Sequence, residues 1–250
     1  MKISLRGKNI LVTGASRGIG KGIATGLGKS GARVAIHCNK NFDAAKELAK
    51  NIGNGSIAYR ASLQNTEECT TLFNEVINDF EKLDALVNNA GIFLMTKMNS
   101  RQWIEDWDLT LDVNLRAAAW LSRLAILHFL ESGGGRIINI SSRAAFRGDN
   151  PEHLAYAASK AGMVALTKSI ARGYGKQGIT SFAIAPGWVK TDMNKETIKR
   201  YGEEAITRDL ALNKLTEPKD LAPMIVLLAS GLADHATGTT IDINAGSYVH

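Results

Sequence analysis

The sequence contains few of the residues that define several classes of protein. Among its 250 residues there are four prolines and two cysteines, Cys38 and Cys69. Two thiols are too few for a disulfide framework, and their separation does not match the short spacing of a zinc site. The low cysteine count therefore indicates a reducing compartment, and no metal site is expected.

Long apolar runs are also missing. Residues 1–8 lack the apolar stretch of a signal peptide, and no run reaches the roughly 20 residues that cross a bilayer. We therefore expect a cytoplasmic protein with no membrane partner.

Segments that combine basic and aromatic residues are missing as well. Aromatic residues make up 6% of the chain, and the net charge is +6, but the basic residues are dispersed along the sequence. Nucleic-acid binding is therefore not expected. A phosphorylated cofactor or an acidic substrate accounts for the positive charge more simply.

Apolar residues, in contrast, are abundant at 45% of the chain, which is enough for one large core. Strand-like apolar runs alternate with helix-like segments, and no repeat or linker interrupts them. This alternation predicts an α/β fold, namely a single doubly wound Rossmann-type domain over residues 1–250, with a parallel β-sheet flanked by helices on both faces. A more polar stretch within residues 188–215 is predicted to form a mobile substrate flap.

A glycine-rich turn follows the first predicted strand and opens the first helix. Its glycines are Gly14, Gly18 and Gly20. In that order they allow a tight turn, close approach of the backbone to a pyrophosphate, and close packing of the helix, whose N–H groups face the anion. An ordinary turn is the alternative, but the placement after a first strand favours a dinucleotide site.

The end of the second predicted strand indicates which dinucleotide is bound. The strand ends at Cys38-Asn39-Lys40, without the carboxylate that would accept a hydrogen bond from a ribose 2′-hydroxyl. Arg17 in the glycine turn and Lys40 would instead meet a 2′-phosphate. We therefore expect NADP(H) to be preferred over NAD(H), with two solvated surface residues as the alternative.

Tyr156 and Lys160 are spaced so that both project from one face of a helix predicted to begin near residue 154. A lysine cation beside the phenol would lower its pKa from about 10 and make it a general acid or base. Ser142 follows the strand predicted at residues 136–140, so its hydroxyl can converge with the other two groups. A packed tyrosine beside a lysine that extends to solvent is the alternative.

Together and in this order, these motifs resemble the short-chain dehydrogenase/reductase family over essentially the whole chain. The overall likeness is greatest to the 3-oxoacyl-carrier-protein reductases. The motifs and the resemblance together predict cofactor contacts by Gly14, Ser16, Arg17, Gly18, Ile19, Gly20, Asn39, Lys40, Ser62, Leu63, Asn89, Ala90, Gly91, Tyr156, Lys160, Pro186, Gly187, Val189 and Thr191. Ser62 and Leu63 stand where the family usually has an acidic residue.

The resemblance also implies a catalytic tetrad of Asn114, Ser142, Tyr156 and Lys160. In such an enzyme Ser142 holds the substrate carbonyl, Tyr156 protonates it, and Lys160 lowers the tyrosine pKa and binds the nicotinamide ribose. Asn114, a poor helix former inside a predicted helix at residues 101–130, would distort that helix and place a water for proton relay. Ser141 is kept as a second candidate, because the serine-to-tyrosine spacing is one residue longer than in many relatives.

These roles imply an NADPH-dependent carbonyl reductase that also runs as an alcohol dehydrogenase on a small-molecule substrate. The specific activity is left open between 3-oxoacyl-carrier-protein reduction and reduction of a sugar- or uronate-derived keto acid. Arg147 and His153 lie close in sequence to the reacting centre, and with Trp188 they are the tentative substrate contacts. Arg147 is expected to grip an anionic substrate, although solvated arginines are common.

The resemblance further implies a homotetramer built on the helices that carry Asn114 and Tyr156 and on the C-terminal strand. The outward-facing residues expected at that interface are Ala117, Ala118, Trp120, Met163, Val164 and Leu166. A dinucleotide-sensing protein without catalysis is the rival interpretation. The intact tetrad favours an enzyme.

Overall fold

The apolar runs form the strands of one sheet. The computed structural model describes residues 3–192, 198–199 and 202–249. Its strands are β1 (Asn9–Val12), β2 (Arg33–Cys38), β3 (Ile57–Arg60), β4 (Ala85–Asn88), β5 (Gly135–Ile140), β6 (Ile179–Pro186) and β7 (Thr240–Ile243). All pair in parallel, in the order β3-β2-β1-β4-β5-β6-β7.

Helices connect these strands and cover both faces of the sheet. They are α1 (Gly18–Lys29), α2 (Phe42–Ile52), α3 (Thr66–Phe80), α4 (Trp103–Leu111), α5 (Ala117–Ser132), α6 (Ala144–Arg147), α7 (Leu154–Tyr174), α8 (Glu203–Thr207) and α9 (Pro218–Ser230). The predicted doubly wound parallel sheet is therefore confirmed.

Two apolar cores hold the sheet between its helices. Because side chains alternate along a strand, Ile10 and Val12 of β1 enter one core while Leu11 enters the other. The first core also contains Leu27 of α1, and the second contains Phe129 of α5. Burial on both faces gives the strand ends a rigid base on which to carry a site.

The direction of winding reverses between β1 and β4, which pair with each other in the centre of the sheet. From β1 the chain winds outward through β2 to β3, and then returns to β4 on the other side of β1. Loops that leave the carboxyl ends of β1 and β4 therefore diverge and leave a crevice, which is where such sheets bind ligands.

The long helix predicted at residues 101–130 is two α-helices, α4 and α5, joined by a π-helical turn at Asp112–Arg116. Asn114 lies in that turn and is fully buried. A π-helical turn inside a helix is frequently associated with a functional site. The helix distortion that the family resemblance implied at Asn114 is therefore present.

The predicted flap at residues 188–215 falls partly on residues 193–197 and 200–201, which lie outside the described residues. In the described part, Val189 forms a parallel bridge with Thr216, and the Lys190 N–H donates to the Thr216 carbonyl at 2.9 Å. The two ends of the segment are thus joined at its base. Its mobility remains a prediction.

The expected tetramer residues are largely in the wrong place. Ala117, Ala118, Met163 and Val164 are buried within the single chain and offer no surface to a partner. They face inward because α5 and α7 pack against the sheet and against neighbouring helices, which sequence spacing alone did not distinguish from an outward face. The exposed apolar residues of this region are instead Ile104, Leu127, Leu130 and Leu154.

No helix in the described residues is both long enough and apolar enough to cross a membrane.

Candidate active site

The Asn-Asn-Ala-Gly segment after β4 holds the glycine turn in place. The hydroxyl of Thr13 accepts hydrogen bonds from the backbone N–H groups of Asn89 and Ala90, at 2.9 and 3.0 Å. In return the Asn89 side-chain amide donates to the Thr13 carbonyl at 2.7 Å and to the Gly14 carbonyl at 3.1 Å. This segment is therefore a brace for the turn rather than a plain turn of its own.

Gly14 cannot be replaced without moving that brace. Its φ of +62° lies in the left-handed region, and a Cβ there would lie 2.9 Å from the Cα of Ala90. The backbone of the turn thus stays open to a ligand. The first turn of α1 beyond it carries no acidic residue, so the N–H groups at this helix end are free to face an anion.

His37, which sequence reasoning missed, supports the same turn from β2. Its Nδ1 accepts a hydrogen bond from the Gly14 N–H at 3.1 Å, and its Nε2 lies 3.1 Å from the Ala61 carbonyl. The imidazole is therefore neutral, with its proton on Nε2. Burial lowers the pKa of His37 to about 4. A histidine in an otherwise apolar strand was the available signal for such a polar contact.

A cavity of about 1140 Å³ opens at the carboxyl edge of the sheet. Its size accommodates a dinucleotide together with a small substrate. The predicted cofactor residues on its wall are Gly14, Ser16, Arg17, Gly18, Ile19, Gly20, Asn39, Lys40, Leu63, Asn89, Ala90, Gly91, Tyr156, Lys160, Pro186, Gly187, Val189 and Thr191. Ser62 is not among the wall residues, and its backbone N–H donates to the Glu68 carboxylate at 2.6 Å.

The β2 end of the cavity carries two positively charged side chains. Arg17 and Lys40 both line the cavity and are exposed to solvent. Cys38, the last residue of β2, is buried, and burial raises the pKa of its thiol. The wall there presents cations without a carboxylate from β2, which fits a 2′-phosphate.

Tyr156 lies on the cavity wall, but its phenol differs from the expected phenolate. Burial raises the pKa of Tyr156 to about 12, and a hydrogen bond with Ser142 acts in the opposite direction. The prediction that Lys160 lowers this pKa is wrong for this structure, because the Lys160 Nζ lies 5.6 Å from the Tyr156 ring centre and donates elsewhere. At neutral pH the phenol is protonated.

Lys160 of α7 is buried, and its side chain extends to the end of β5. Its Nζ donates to the Ile140 carbonyl at 2.8 Å and lies 3.7 Å from the Met163 sulfur. Burial lowers the pKa of Lys160 to about 8. The ammonium group is therefore held at the strand end as a costly buried cation, which is typical of functional rather than structural residues.

The two candidate serines have different partners. The Ser141 hydroxyl donates to the Lys160 carbonyl at 2.8 Å, so it fastens β5 to α7. The Ser142 hydroxyl accepts from the Ala144 N–H at 3.1 Å and also bonds with the Tyr156 phenol. Of the two, Ser142 is placed to share a substrate oxygen with Tyr156.

Asn114 does not line the cavity directly. Its side-chain oxygen accepts from the Ile92 N–H at 2.8 Å, and its amide nitrogen donates to the Ile92 carbonyl at 3.0 Å and to the Ser159 hydroxyl at 3.1 Å. The side-chain amide thus pairs with both backbone groups of Ile92 in the loop after β4, as a neighbouring β-strand would. This explains why a poor helix former occupies the helix interior.

Aromatic rings form the wall beside Tyr156. Phe93 stacks on His153 with ring centres 3.9 Å apart and meets Tyr156 edge-on at 4.7 Å. The Nδ1 of His153 lies 3.0 Å from the Leu94 carbonyl. His153 therefore stabilises the wall, and Phe93 is a wall residue that the sequence motifs did not identify.

The arginines after Ser142 share one carboxylate. The Nη1 atoms of Arg143 and Arg147 lie 3.8 and 3.6 Å from the same Asp209 oxygen. Arg143 is the buried one, at 8% exposure, whereas Arg147 is exposed. Arg147, the arginine expected to grip an anionic substrate, is thus the more exposed of the two, and Asp209 gave no signal in the sequence.

The short-chain dehydrogenase family model matches residues 8–202, which span the glycine turn, β4, Ser142, Tyr156 and Lys160. The chain belongs to this family. The predicted family is thus confirmed, and its members are NAD(P)-dependent oxidoreductases that act on CH–OH and C=O groups.

Relatives with assigned names cover almost the whole chain. A 3-oxoacyl-[acyl-carrier-protein] reductase of Rickettsia bellii is 40% identical over 244 residues, or 98% of each chain. A reductase of the same name from Staphylococcus aureus is 36% identical over 245 residues, covering 97% of this chain and 98% of its own.

Solved structures of similar proteins have the same fold. A dehydrogenase/reductase of Sinorhizobium meliloti has a TM-score of 0.91 at 34% identity, covering 99% of this chain and 98% of its own. A candidate gluconate dehydrogenase of Agrobacterium tumefaciens has a TM-score of 0.93 at 28% identity, with full coverage of both chains.

In the part of the chain that the structure describes, no three histidine, cysteine or acidic side chains are grouped to hold a metal ion.

Proposed function

We propose that this short-chain dehydrogenase is an NADPH-dependent carbonyl reductase that also oxidises the corresponding alcohol. The observation that carries the proposal is the protonated phenol of Tyr156, which bonds with Ser142 on the wall of the cavity. A neutral phenol beside a hydroxyl can give a proton to one oxygen atom while the hydroxyl holds that atom in place.

The cofactor is proposed to lie along the wall from Arg17 and Lys40 to Lys160. The glycine turn takes the pyrophosphate on backbone N–H groups, and the two surface cations take the 2′-phosphate. When bound, the nicotinamide supplies or accepts the hydride. Lys160 is proposed to bind the ribose hydroxyls next to it, since its Nζ is held at the cavity wall by the Ile140 carbonyl.

The residues around the reacting carbon have distinct proposed roles. The Ser142 hydroxyl donates a hydrogen bond to the substrate oxygen and orients the carbonyl. The Tyr156 hydroxyl donates its proton to the same oxygen during reduction, and in the reverse direction takes it back. Asn114 fixes the loop at Ile92, next to Phe93 on the wall beside Tyr156, and its proposed part in a water-mediated proton relay to Lys160 rests on the family resemblance.

Two substrate classes are proposed. Reduction of 3-oxoacyl groups on a carrier protein is supported by the names of the relatives that are 36–40% identical. Reduction of a sugar- or uronate-derived keto acid is supported by Arg143 and Arg147 on the cavity wall, and the candidate gluconate dehydrogenase neighbour points to the same class.

A screen of NADPH oxidation tests the function. The purified protein is given acyl thioesters, keto sugars, keto acids and simple neutral ketones in turn. The loss of NADPH absorbance measures the rate of reduction. Turnover of any class above the rate of a Tyr156→Phe control supports a carbonyl reductase. Tight NADPH binding without turnover of any class would instead favour the dinucleotide-sensing alternative.

A further inference from the structure

Arg143 has two properties that rarely occur together in an arginine without a function. It is 8% exposed, and its Nη1 makes no hydrogen bond with any residue that the structure describes. A buried charged group left without a hydrogen-bond partner is costly. Arg143 lines the cavity, and the Asp209 carboxylate lies 3.8 Å from this buried Nη1, so a ligand can pair with the guanidinium where Asp209 now lies.

The surroundings of Arg143 concentrate positive charge at this end of the cavity. The guanidinium lies 5.7 Å from the Trp188 ring centre. Burial, followed by the charge of Arg147, lowers the pKa of Arg143, and Asp209 and Asp149 act in the opposite direction. Two guanidinium groups are thus close enough to repel each other, and an anion between them relieves that repulsion.

The position of Asp209 indicates that a carboxylate fits between the two guanidinium groups. Its carboxylate oxygen lies between the two guanidinium groups, but at 3.6 and 3.8 Å it is beyond hydrogen-bond distance of both. Its side chain is 67% exposed, so it can turn to solvent at little cost. Asp149, the other acidic neighbour, is exposed and accepts the Asn150 N–H at 2.8 Å.

We propose that Arg143 and Arg147 form a subsite for the carboxylate of a small keto-acid or hydroxy-acid substrate, and that this carboxylate replaces Asp209 between the two guanidinium groups. Ser142, Arg143 and Arg147 all line the same cavity. One small molecule in it can therefore contact both the carbonyl-binding hydroxyl and the arginine pair. This inference rests on the proposed carbonyl reductase function.

The carboxylate subsite determines which substrates are preferred and takes no part in the transfer of hydride or proton. The forked guanidinium of Arg143 can donate two parallel hydrogen bonds to a carboxylate, which a neutral ester or ketone cannot accept in the same way. Asp209 acts as an internal competitor that a substrate carboxylate must displace. An acid is therefore favoured over its ester, and removal of the Asp209 charge increases that preference.

The test compares acids with their own methyl esters. Pyruvate, acetoacetate and levulinate, each paired with its ester, place the carboxylate progressively further from the ketone. The measured quantity is the ratio of kcat/KM for the acid to that for the ester, with NADPH. For the parent protein, one acid is expected to exceed its ester by at least about 10-fold, the effect of a charged hydrogen bond. The preferred chain length reports the spacing between subsite and carbonyl.

Loss of an arginine and loss of the Asp209 charge are expected to change the acid-to-ester ratio in opposite directions. Arg147→Ala is expected to lower the acid-to-ester ratio about 10-fold, and Arg143→Lys, which keeps the charge but loses the fork, to lower it as well. Asp209→Asn is expected to raise the ratio several-fold. Glu204→Gln changes an exposed acidic residue nearby on α8 and is expected to leave the ratio as it is.

Several outcomes overturn the proposal. If Asp209→Asn lowers thermal stability but does not raise the ratio, the arginine–aspartate contacts are structural only. If the parent reduces neutral ketones and shows no preference for any acid, the subsite is wrong although the reductase function stands. If it reduces no carbonyl compound, both fail. The ratio of kcat/KM for dihydroxyacetone phosphate to that for dihydroxyacetone is measured in the same way. If it exceeds every acid-to-ester ratio, the subsite binds a phosphate rather than a carboxylate.

Discussion

The imidazole of His37 accepts a hydrogen bond from the backbone N–H of Gly14 at 3.1 Å. This contact ties the second strand to the turn on which a dinucleotide is proposed to lie. A protonated imidazole has no lone pair on Nδ1 and cannot accept that bond. The shape of the turn therefore depends on His37 remaining neutral.

Acidification is predicted to destabilise the fold through His37. Its pKa is about 4 in the folded protein and 6.5 when unperturbed, so below pH 6.5 the unfolded chain binds a proton that the folded protein does not. Stability is then lost as the pH falls from about 6.5 to about 4, by roughly 3 kcal/mol from this group. Urea unfolding of the parent and of His37→Asn across this range measures it.

The His37→Asn variant is expected to show a shallower pH dependence than the parent. His235→Asn, which removes an exposed histidine, serves as the control and is expected to keep the slope of the parent. Equal slopes for the parent and His37→Asn would show that His37 does not resist protonation.

Loss of the phenol at Tyr156 is predicted to abolish turnover but leave NADPH affinity nearly unchanged. The hydroxyl acts on the substrate oxygen in the transition state, and general acid catalysis contributes 10²-fold or more. Steady-state rates and NADPH titration of Tyr156→Phe measure the two effects separately. Tyr174→Phe, at the exposed end of the same helix, is the matched control. If Tyr156→Phe keeps more than about a tenth of kcat, Tyr156 is not the acid.

A preference for NADPH over NADH is predicted from Arg17 and Lys40. Removing either cation by substitution with alanine is expected to reduce the ratio of kcat/KM for NADPH to that for NADH by about 10-fold, the value of a charged hydrogen bond. Cys38→Asp, which adds the missing carboxylate at the end of β2, is expected to shift the preference toward NADH. Lys46→Ala, an exposed lysine of α2 away from the cavity, is the control. Equal use of both cofactors by the parent would refute the charge argument.

Substitution of Lys160 by methionine is predicted to stabilise the protein while abolishing activity. The lysine pKa of about 8 in the folded protein, against 10.5 unperturbed, means that at pH 7 the folded state carries a penalty of up to about 3 kcal/mol. Above pH 8 the folded protein releases the proton first, so the parent gains stability between pH 8 and 10.5. Methionine removes the buried charge at similar volume.

Urea unfolding at pH 7 and pH 9.5 checks this stability difference. Lys160→Met is expected to be more stable than the parent at pH 7 by about 1–3 kcal/mol, with a smaller difference at pH 9.5. Lys168→Met, an exposed position on the same helix, is expected to change little. A variant less stable than the parent at pH 7 would mean that the Ile140 contact outweighs the burial of the charge.

A homotetramer is predicted, now with a different surface from the one first expected. Leu127 and Leu130 of α5 are exposed in the single chain, and such apolar surface is typical of subunit contacts. Light scattering at micromolar concentration should give four times the chain mass, and Leu127→Glu should reduce it. Lys50→Glu on α2, also exposed, is the control. A stable monomer of the parent would contradict the prediction.

The sequence by itself determined where chemistry is carried along the chain. The apolar runs predicted the strands, Tyr156 and Lys160 were expected in a helix from residue 154, and that helix begins at Leu154. These features are local, because strand alternation, helix spacing and glycine turns depend on neighbours within a few residues. The same local signals placed the cofactor residues at strand ends, and a parallel sheet gathers such ends at one edge.

Only the tertiary structure decided which way individual side chains face and what they meet. Arg143 is buried and Arg147 exposed although both follow Ser142 closely, and Asp209 reaches them from a segment far along the chain. The pKa of Tyr156 is raised rather than lowered, because the phenol is buried and the Lys160 ammonium group donates to the Ile140 carbonyl instead. Such contacts join residues distant in sequence, and their geometry and local desolvation arise only when the elements pack together.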